Sequence, residues 1–135
     1  MGILEIIKAH IENNINGIDD IYFNFQPDVK GNCIILWQYD GIQTSVGLRP
    51  QVQISVKNKD MKTAEATIQQ IYDIIYPIGT FEKSITVTID TDKVETVKIV
   101  PRQSPFYLEK DDNNRHVYVF NIDCIMQRST TNGSI

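Results

Sequence analysis

The residues of this sequence that could bind a metal are few and scattered. Asp90, Thr91 and Asp92 form an Asp-X-Asp triplet, a carboxylate pair of the kind that coordinates divalent cations. A calcium loop of the EF-hand type also needs an oxygen ligand at its fifth position and a glutamate at its twelfth. Val94 and Pro101 occupy those positions. We therefore predict that the triplet is the tip of a β-hairpin.

The two histidines and the two cysteines lack the spacing of metal ligands. His10 and His116 lie far apart, and neither has another ligand residue at a suitable distance along the chain. Cys33 and Cys124 each lie in an apolar, strand-like run, and no Cys-X-X-Cys spacing is present. We interpret the histidines as structural residues and the cysteines as buried, unreactive thiols.

Nucleophilic catalysis and phosphate binding also lack their usual motifs. Ser45, Ser84 and Ser104 have no Gly-X-Ser-X-Gly context, and the seven glycines are too scattered to form a phosphate-binding loop. We therefore expect no catalytic residue, no bound metal and no cofactor.

The bulk composition indicates a small globular protein. The chain has 135 residues, a formal net charge of −4 and 41% hydrophobic residues. This length suits one domain, which we predict to span residues 1–128, with a flexible tail at 129–135. The net charge is negative, whereas nucleic-acid-binding domains usually carry an excess of lysine and arginine, so the composition does not indicate nucleic-acid binding. No apolar stretch approaches the ~20 residues of a membrane span, so we expect no membrane contact and a cytoplasmic location.

Two segments have the apolar spacing of amphipathic helices. The first spans residues 3–15, and Gly17 follows it as a residue type that ends helices. The second begins after Asp60, a capping residue type, and ends before Pro77. The apolar stripe of the first helix is Ile3, Ile7, Ile11 and Ile15. The stripe of the second helix, expected to face the core against strand 52–56, is Met61, Ala64, Ile68, Ile71 and Ile75.

Most of the remaining chain has strand-like patterns. Strands are predicted at 33–37, 52–56, 85–89, 96–100, 106–108 and 117–126, and a short strand is possible within 21–25. Tyr39, Asp40 and Gly41 predict a turn. The strands are joined by turns rather than by repeated helical crossovers. This order predicts an α+β fold with a mostly antiparallel sheet and two amphipathic helices packed on it.

The segment from Pro101 to His116 has an unusual mixture of prolines, aromatic residues and charges around short β pieces. One interpretation is a long, irregular hairpin. The other is an arm that docks on another subunit, since Phe, Tyr and Arg are common in interfaces. In that case Arg115 would pair with an acidic residue across the contact. The candidate interface residues are Phe106, Tyr107, Asp111, Asp112 and Arg115.

The order of elements resembles a known family. The most distinctive stretch is Gln103 to Leu108, followed by an acidic residue at 111 or 112, by Arg115 and by Asn121 in the final strand. With the N-terminal amphipathic helix, the tryptophan-containing strand and the strand and helix from Val52 to Tyr76, this pattern resembles the phage minor capsid protein family of Gram-positive siphophages and prophages. The resemblance covers nearly the whole chain. By fold, that family is similar to tail terminator and tail-completion proteins.

The resemblance implies a structural virion protein that is not an enzyme. It implies a closed ring, taken as a hexamer, at the head-proximal end of the tail tube. The implied partners are further copies of the chain, the tail tube protein and the head connector, and DNA would pass through the ring without sequence-specific binding. The implied location is the head–tail junction of the virion, after assembly in the host cytoplasm. Two other classes stay open: a head-side completion protein, and a small cytoplasmic α+β enzyme or ligand-binding domain.

Overall fold

The computed structural model of the chain describes residues 2–25, 31–44, 47–76, 83–90 and 93–130. Side chains are described within these ranges except at 40–44, 47–49, 83, 86–90, 93–95, 101 and 126–130. The described elements are helices α1 (Ile3–Asn14) and α2 (Met61–Ile75) and strands β1 (Ile21–Phe23), β2 (Cys33–Thr44), β3 (Gly47–Asn58), β4 (Lys83–Asp90), β5 (Lys93–Pro101), β6 (Phe106–Lys110) and β7 (His116–Thr130). Residues 91 and 92 of the predicted hairpin tip and residues 131–135 of the predicted tail lie outside the described residues.

The strands form one seven-stranded sheet in the order β1-β2-β3-β7-β5-β4, and β6 pairs with β7. Strand β7 is the centre of this sheet because β3 lies along one of its edges while β6 and β5 lie end to end along the other. All described pairs are antiparallel except β1 with β2, which is parallel. The predicted combination of two helices with a mostly antiparallel sheet is therefore confirmed.

Both helices cover the same face of the sheet. Helix α1 buries Ile3, Leu4, Ile6, Ile7 and Ile11. Helix α2 buries Ala64, Ile68, Ile71 and Ile75. These side chains join one core cluster with strand residues such as Val56, Phe120 and Ile122. Period-four apolar spacing places such side chains on one helix face, and burial of that face supplies most of the stability of the helix.

The helix ends have the predicted local chemistry. The carboxylate of Asp60 accepts a hydrogen bond from the backbone N–H of Thr63 at 3.3 Å, which satisfies one free donor of the first turn of α2. After α1, Gly17 adopts a φ of +70°, a conformation that glycine reaches at low cost. None of the described helices is long and apolar enough to cross a membrane.

Three predicted details differ from the structure. Met61 is 45% exposed because it is the first residue of α2, so the packed stripe begins one turn later, at Ala64. The turn predicted at Tyr39 to Gly41 is wrong. Strand β2 continues through it, with a register shift between Tyr39 and Ile42, because a bulge absorbs an extra residue without reversing the chain. Strand β7 runs on to Thr130, beyond the predicted end at 126.

The packing of α2 can be tested by truncating Ile71, whose side chain is fully buried. We expect Ile71→Ala to lower the free energy of unfolding by about 2–5 kcal/mol, because it removes buried apolar surface and leaves a cavity. Met61→Ala removes an exposed side chain of the same helix and should change the free energy of unfolding by less than about 0.5 kcal/mol. Urea unfolding of both variants measures the difference, and equal midpoints would contradict this orientation of α2.

Candidate subunit interface: β6 and the turn that follows it

Strand β6 is a short edge strand with an exposed apolar surface. All five of its residues are exposed, including Phe106 at 39%, Tyr107 at 40% and Leu108 at 51%. One edge of β6 pairs with β7, and its other edge pairs with no described strand. Proteins usually protect such edges with charges, prolines or a covering element, because unpaired backbone groups invite another strand. Pro105 precedes β6, but the three apolar residues themselves remain open.

The position of β6 on β7 is fixed by its register and by aromatic contacts. Phe106 lies opposite Val119 and Tyr107 opposite Tyr118, and a register shift follows at Leu108. The ring of Tyr107 meets the ring of Tyr118 edge to face, with centroids 5.2 Å apart. The Tyr107 hydroxyl also lies 3.1 Å from Nδ1 of His116. Tyr107 is thus held on one side while its other side faces solvent.

The connection between β5 and β6 is attached to β7 by polar contacts. The backbone N–H of Asn121 donates to Oε1 of Gln103 at 3.3 Å, and the Asn121 carbonyl accepts from the N–H of Arg102 at 3.1 Å. The Arg102 guanidinium forms an ion pair with Asp123 at 3.2 Å. Two positions of the sequence pattern described above, Gln103 and Asn121, are therefore in direct contact.

The turn between β6 and β7 is organised by the carboxylate of Asp111. Its Oδ1 accepts hydrogen bonds from the backbone N–H groups of Asn113 at 3.0 Å and Arg115 at 2.9 Å. The Asp111 N–H donates to the Arg115 carbonyl at 2.9 Å, which closes the hairpin. Asn114 adopts a φ of +60°, a conformation that asparagine tolerates better than most residues.

The side chain of Arg115 is fully buried inside its own chain. Its Nε donates to Oδ2 of Asp111 at 2.9 Å, and one terminal nitrogen donates to the Gly31 carbonyl at 2.9 Å. The same nitrogen lies 3.6 Å from Sγ of Cys33. The prediction that Arg115 pairs with an acid of a neighbouring subunit is therefore corrected. A buried guanidinium needs its partners within the fold, and the turn and the start of β2 supply them.

The electrostatics of the turn favour an ionised Asp111. Desolvation alone would raise the pKa of Asp111, but hydrogen bonds from Arg115 and Asn113 and the charge of Arg115 outweigh it and lower the pKa. Lys57 is also buried, with 8% of the residue exposed, and its Nζ lies 3.8 Å from Oδ2 of the same carboxylate. Burial raises the pKa of the neighbouring Cys33 thiol. The turn is a buried charge cluster with one anion and two cations.

A comparison with models of protein families finds a match over most of the chain. A model described as bacteriophage tail terminator protein matches residues 10–128. The chain belongs to the bacteriophage tail terminator family. The matched region includes the last five residues of α1, all of β6 and β7 as far as residue 128. A comparison with curated proteins finds no match.

The candidate interface residues divide into two groups. Phe106, Tyr107 and Asp112 are exposed and available to a partner, whereas Asp111 and Arg115 build the turn that holds them. Leu108 was missed as a candidate, although its run with Phe106 and Tyr107 in the sequence could have indicated it. The contact of Arg115 with Gly31 could not have been found from spacing, because the two residues are 84 positions apart.

The two cysteine thiols and His10, which could in principle react or bind a ligand, have structural surroundings. Cys33 and Cys124 are buried free thiols, as predicted, and burial raises the pKa of Cys124 to about 12. Nε2 of His10 lies 3.3 Å from the carbonyl of Ile74, which links α1 to α2. Among the described residues, no three His, Cys, Asp or Glu side chains cluster as metal ligands. An open groove of about 440 Å³ between the helices is lined by Asn14, Ile15, Asn16, Gln70, Asp73 and Ile74.

The role of Asp111 can be tested by removing its carboxylate. We expect Asp111→Ala to lower the free energy of unfolding by about 3–5 kcal/mol, because a buried guanidinium then loses its anion. Asp112→Ala removes an exposed carboxylate one residue away and should have little effect. Urea unfolding at neutral pH compares the two variants, and an equal loss would contradict the assigned role.

The lowered pKa of Asp111 also predicts a dependence on pH. A carboxylate with a depressed folded-state pKa stabilises the fold above its unfolded value of about 3.9, and this contribution is lost as pH falls through the folded pKa. The stability advantage of the unmodified protein over Asp111→Asn should therefore be constant from neutral pH to about 5 and shrink below about 4. Unfolding measured across this range provides the test. A difference that is independent of pH would show that the charge of Asp111 contributes nothing.

Proposed function

We propose that this protein caps the tail tube of a phage. It stops polymerisation of the tube protein at the head-proximal end and presents a surface to the head connector. The match of the tail terminator family model to residues 10–128 is the observation that carries this proposal. The family makes the chain a component of the virion that interacts with other tail and head proteins. Its place at the head–tail junction, after assembly in the host cytoplasm, belongs to the proposal.

The proposed assembly is a closed ring of head-to-tail subunits, taken as a hexamer to match a six-fold tail tube. Heterologous contacts close into a ring when the rotation per subunit divides a full turn, and the tube supplies a template for that rotation. DNA passes through the ring without sequence-specific binding. The net charge of −4 supports this, because an acidic protein does not hold the phosphate backbone tightly.

The exposed side of β6 supports a role of this strand in the ring contact. Phe106, Tyr107 and Leu108 are large apolar side chains on a strand that is anchored by the Asp111 turn. Aromatic side chains on a rigid element lose little conformational entropy when they are covered, so they are effective anchors. Asp112 at the adjacent turn supplies polar contacts at the rim.

Deletion of the gene tests the proposed function directly. Without the cap, tube polymerisation has no stop, so we expect tails of abnormal and variable length that do not join heads. A plasmid copy of the gene should restore normal virions. Electron microscopy of lysates measures tube length. Tails of normal length that fail to join heads would instead favour a head-side completion protein, and normal virions would refute both roles.

The role of β6 can be tested by placing charge on its apolar side chains. We expect Phe106→Asp with Leu108→Asp to leave the fold intact, because both side chains are already exposed, and to produce overlong tubes as the deletion does. Met61→Asp changes an exposed apolar residue on the first turn of α2, where an acid is tolerated. This control should give normal tails. Normal tails from the double variant would remove β6 from the interface.

A further inference from the structure

Two aromatic strands lie at opposite edges of the sheet and at the same level. The registers align Tyr22 with Ile35, Ile35 with Ser55, Ser55 with Val119, and Val119 with Phe106. These five residues form a continuous row across β1, β2, β3, β7 and β6. Strands β1 and β6 therefore begin and end the same row of the sheet.

The adjacent row also begins in β1 and ends in β6, and its burial shows which face of the sheet each row occupies. It runs through Ile21, Ile34, Val56, Tyr118 and Tyr107. All but Tyr107 belong to the core cluster under the helices, and Tyr107 contacts Tyr118, so this row lies on the helix-covered face. The row that contains Tyr22 and Phe106 lies on the opposite face. On the helix-covered face, Ile21 of β1 thus shares a row with Tyr107 of β6. On the opposite face, Tyr22 shares a row with Phe106.

Within the described chain, neither β1 nor β6 pairs with a further strand on its outer edge, and both strands carry apolar side chains, which are exposed on β6 and buried or half-buried on β1. Strand β1 ends the sheet on one side, and β6 has no described strand beyond it on the other. Beside β1, the ring of Phe25 is 54% exposed and meets the ring of Tyr22 edge to face at 5.9 Å. An exposed strand edge with apolar side chains favours association with another strand. Two such edges on one chain favour association of identical copies.

Strand direction allows these edges to pair. Strand β1 is parallel to β2, and each of the three following steps, from β2 to β3, from β3 to β7 and from β7 to β6, is antiparallel. Strands β1 and β6 consequently run in opposite directions. In a closed ring, subunits are related by rotation about the ring axis. If the strands run along that axis, the strands of a neighbouring subunit keep the same direction and the same height along it. Its β1 would meet β6 as an antiparallel partner with matching faces.

We propose that β6 of one subunit pairs with β1 of the next, so that the sheets of adjacent subunits continue into one another around the ring. The pairing sets Phe106 beside Tyr22 and Tyr107 beside Ile21 of the neighbouring copy. Backbone hydrogen bonds supply affinity, and the alternating side chains supply specificity. This inference rests on the ring of the proposed function and adds the way in which its subunits recognise one another.

Two further features, the direction of edge strand β4 and the charged residues near the contact, are consistent with pairing of β6 with β1. Strand β4 also ends the sheet, on the same side of β7 as β6, but it runs in the same direction as β1. In such a ring β4 could meet β1 only as a parallel partner, whereas β6 meets it as an antiparallel one. The charges near the contact are mixed, with Glu109 and Lys110 beside Asp19 and Asp20. Recognition therefore depends on the backbone and on the aromatic side chains.

Paired cysteines test the contact in assembled tails. Within one subunit, positions 22 and 106 are four strand spacings apart, roughly 19 Å, which is too far for a disulfide. Tails from phage that carry Tyr22→Cys with Phe106→Cys should give, after mild oxidation, a ladder of covalent multimers that ends at the size of the ring. Phe106→Cys alone and Phe106→Cys with Met61→Cys should give no ladder.

The outcomes separate this contact from the proposed function. Tails of normal length without a ladder would overturn the pairing while the terminator role stands. Dimers from Phe106→Cys alone would also overturn it, because β6 would then meet its own copy. A gene deletion with normal tails would refute the terminator role, whatever the cross-links show.

Hydrogen exchange on the unmodified protein tests the pairing without substitutions. We expect exchange at amides in both 21–23 and 106–110 to be slower by roughly tenfold or more in tails than in free subunits. Protection of neither strand, or of only one, would contradict the pairing.

Discussion

The ion pair between Asp111 and the buried Arg115 is the interaction on which the described site depends. The carboxylate closes the hairpin between β6 and β7, and the guanidinium reaches the carbonyl of Gly31 and the thiol of Cys33. One pair of side chains thereby fixes the turn to the start of β2, two strands away across β3. Such a pair adds little net stability over an apolar contact, but the loss of one partner leaves an uncompensated buried charge. The ion pair therefore favours a single arrangement of the β6–β7 hairpin over alternatives that would separate the two charges.

The division between the two faces of the sheet explains where function can lie. The helix-covered face is filled by side chains with almost no exposure, such as Ile71 and Phe120, so substitutions there act on stability. The exposed apolar side chains of β6 lie at the margin of this core. A rigid strand held by a hydrogen-bonded turn can present such side chains in one geometry. The candidate interface is therefore a property of the sheet edge and of the turn together.

Local patterns in the sequence were sufficient for the elements but not for their arrangement. The period-four spacing of Ile68 and Ile71 and the capping position of Asp60 predicted α2 correctly, because these features act within a few residues. The tip predicted at Tyr39 was wrong because a glycine in a strand fits a bulge as well as a turn. Phe106 and Tyr107 were chosen as interface candidates from residue type, and the structure places both side chains at the surface. The burial of Arg115 depends on Gly31, and no local pattern reports a contact between residues so distant.

The position of β7 within the sheet has a consequence for folding. Within the described sheet, the strand group β1–β3 and the pair β4–β5 are connected only through β7, which is the last described strand along the chain. During synthesis the two parts can form local hairpins, but they have no common sheet until β7 has left the ribosome. Long-range pairing of this kind slows folding, because loop closure precedes the contacts that repay it. The edges of β3 and β5 that pair with β7 stay open until that strand arrives, so we expect its late pairing to slow folding and to expose these edges to other chains.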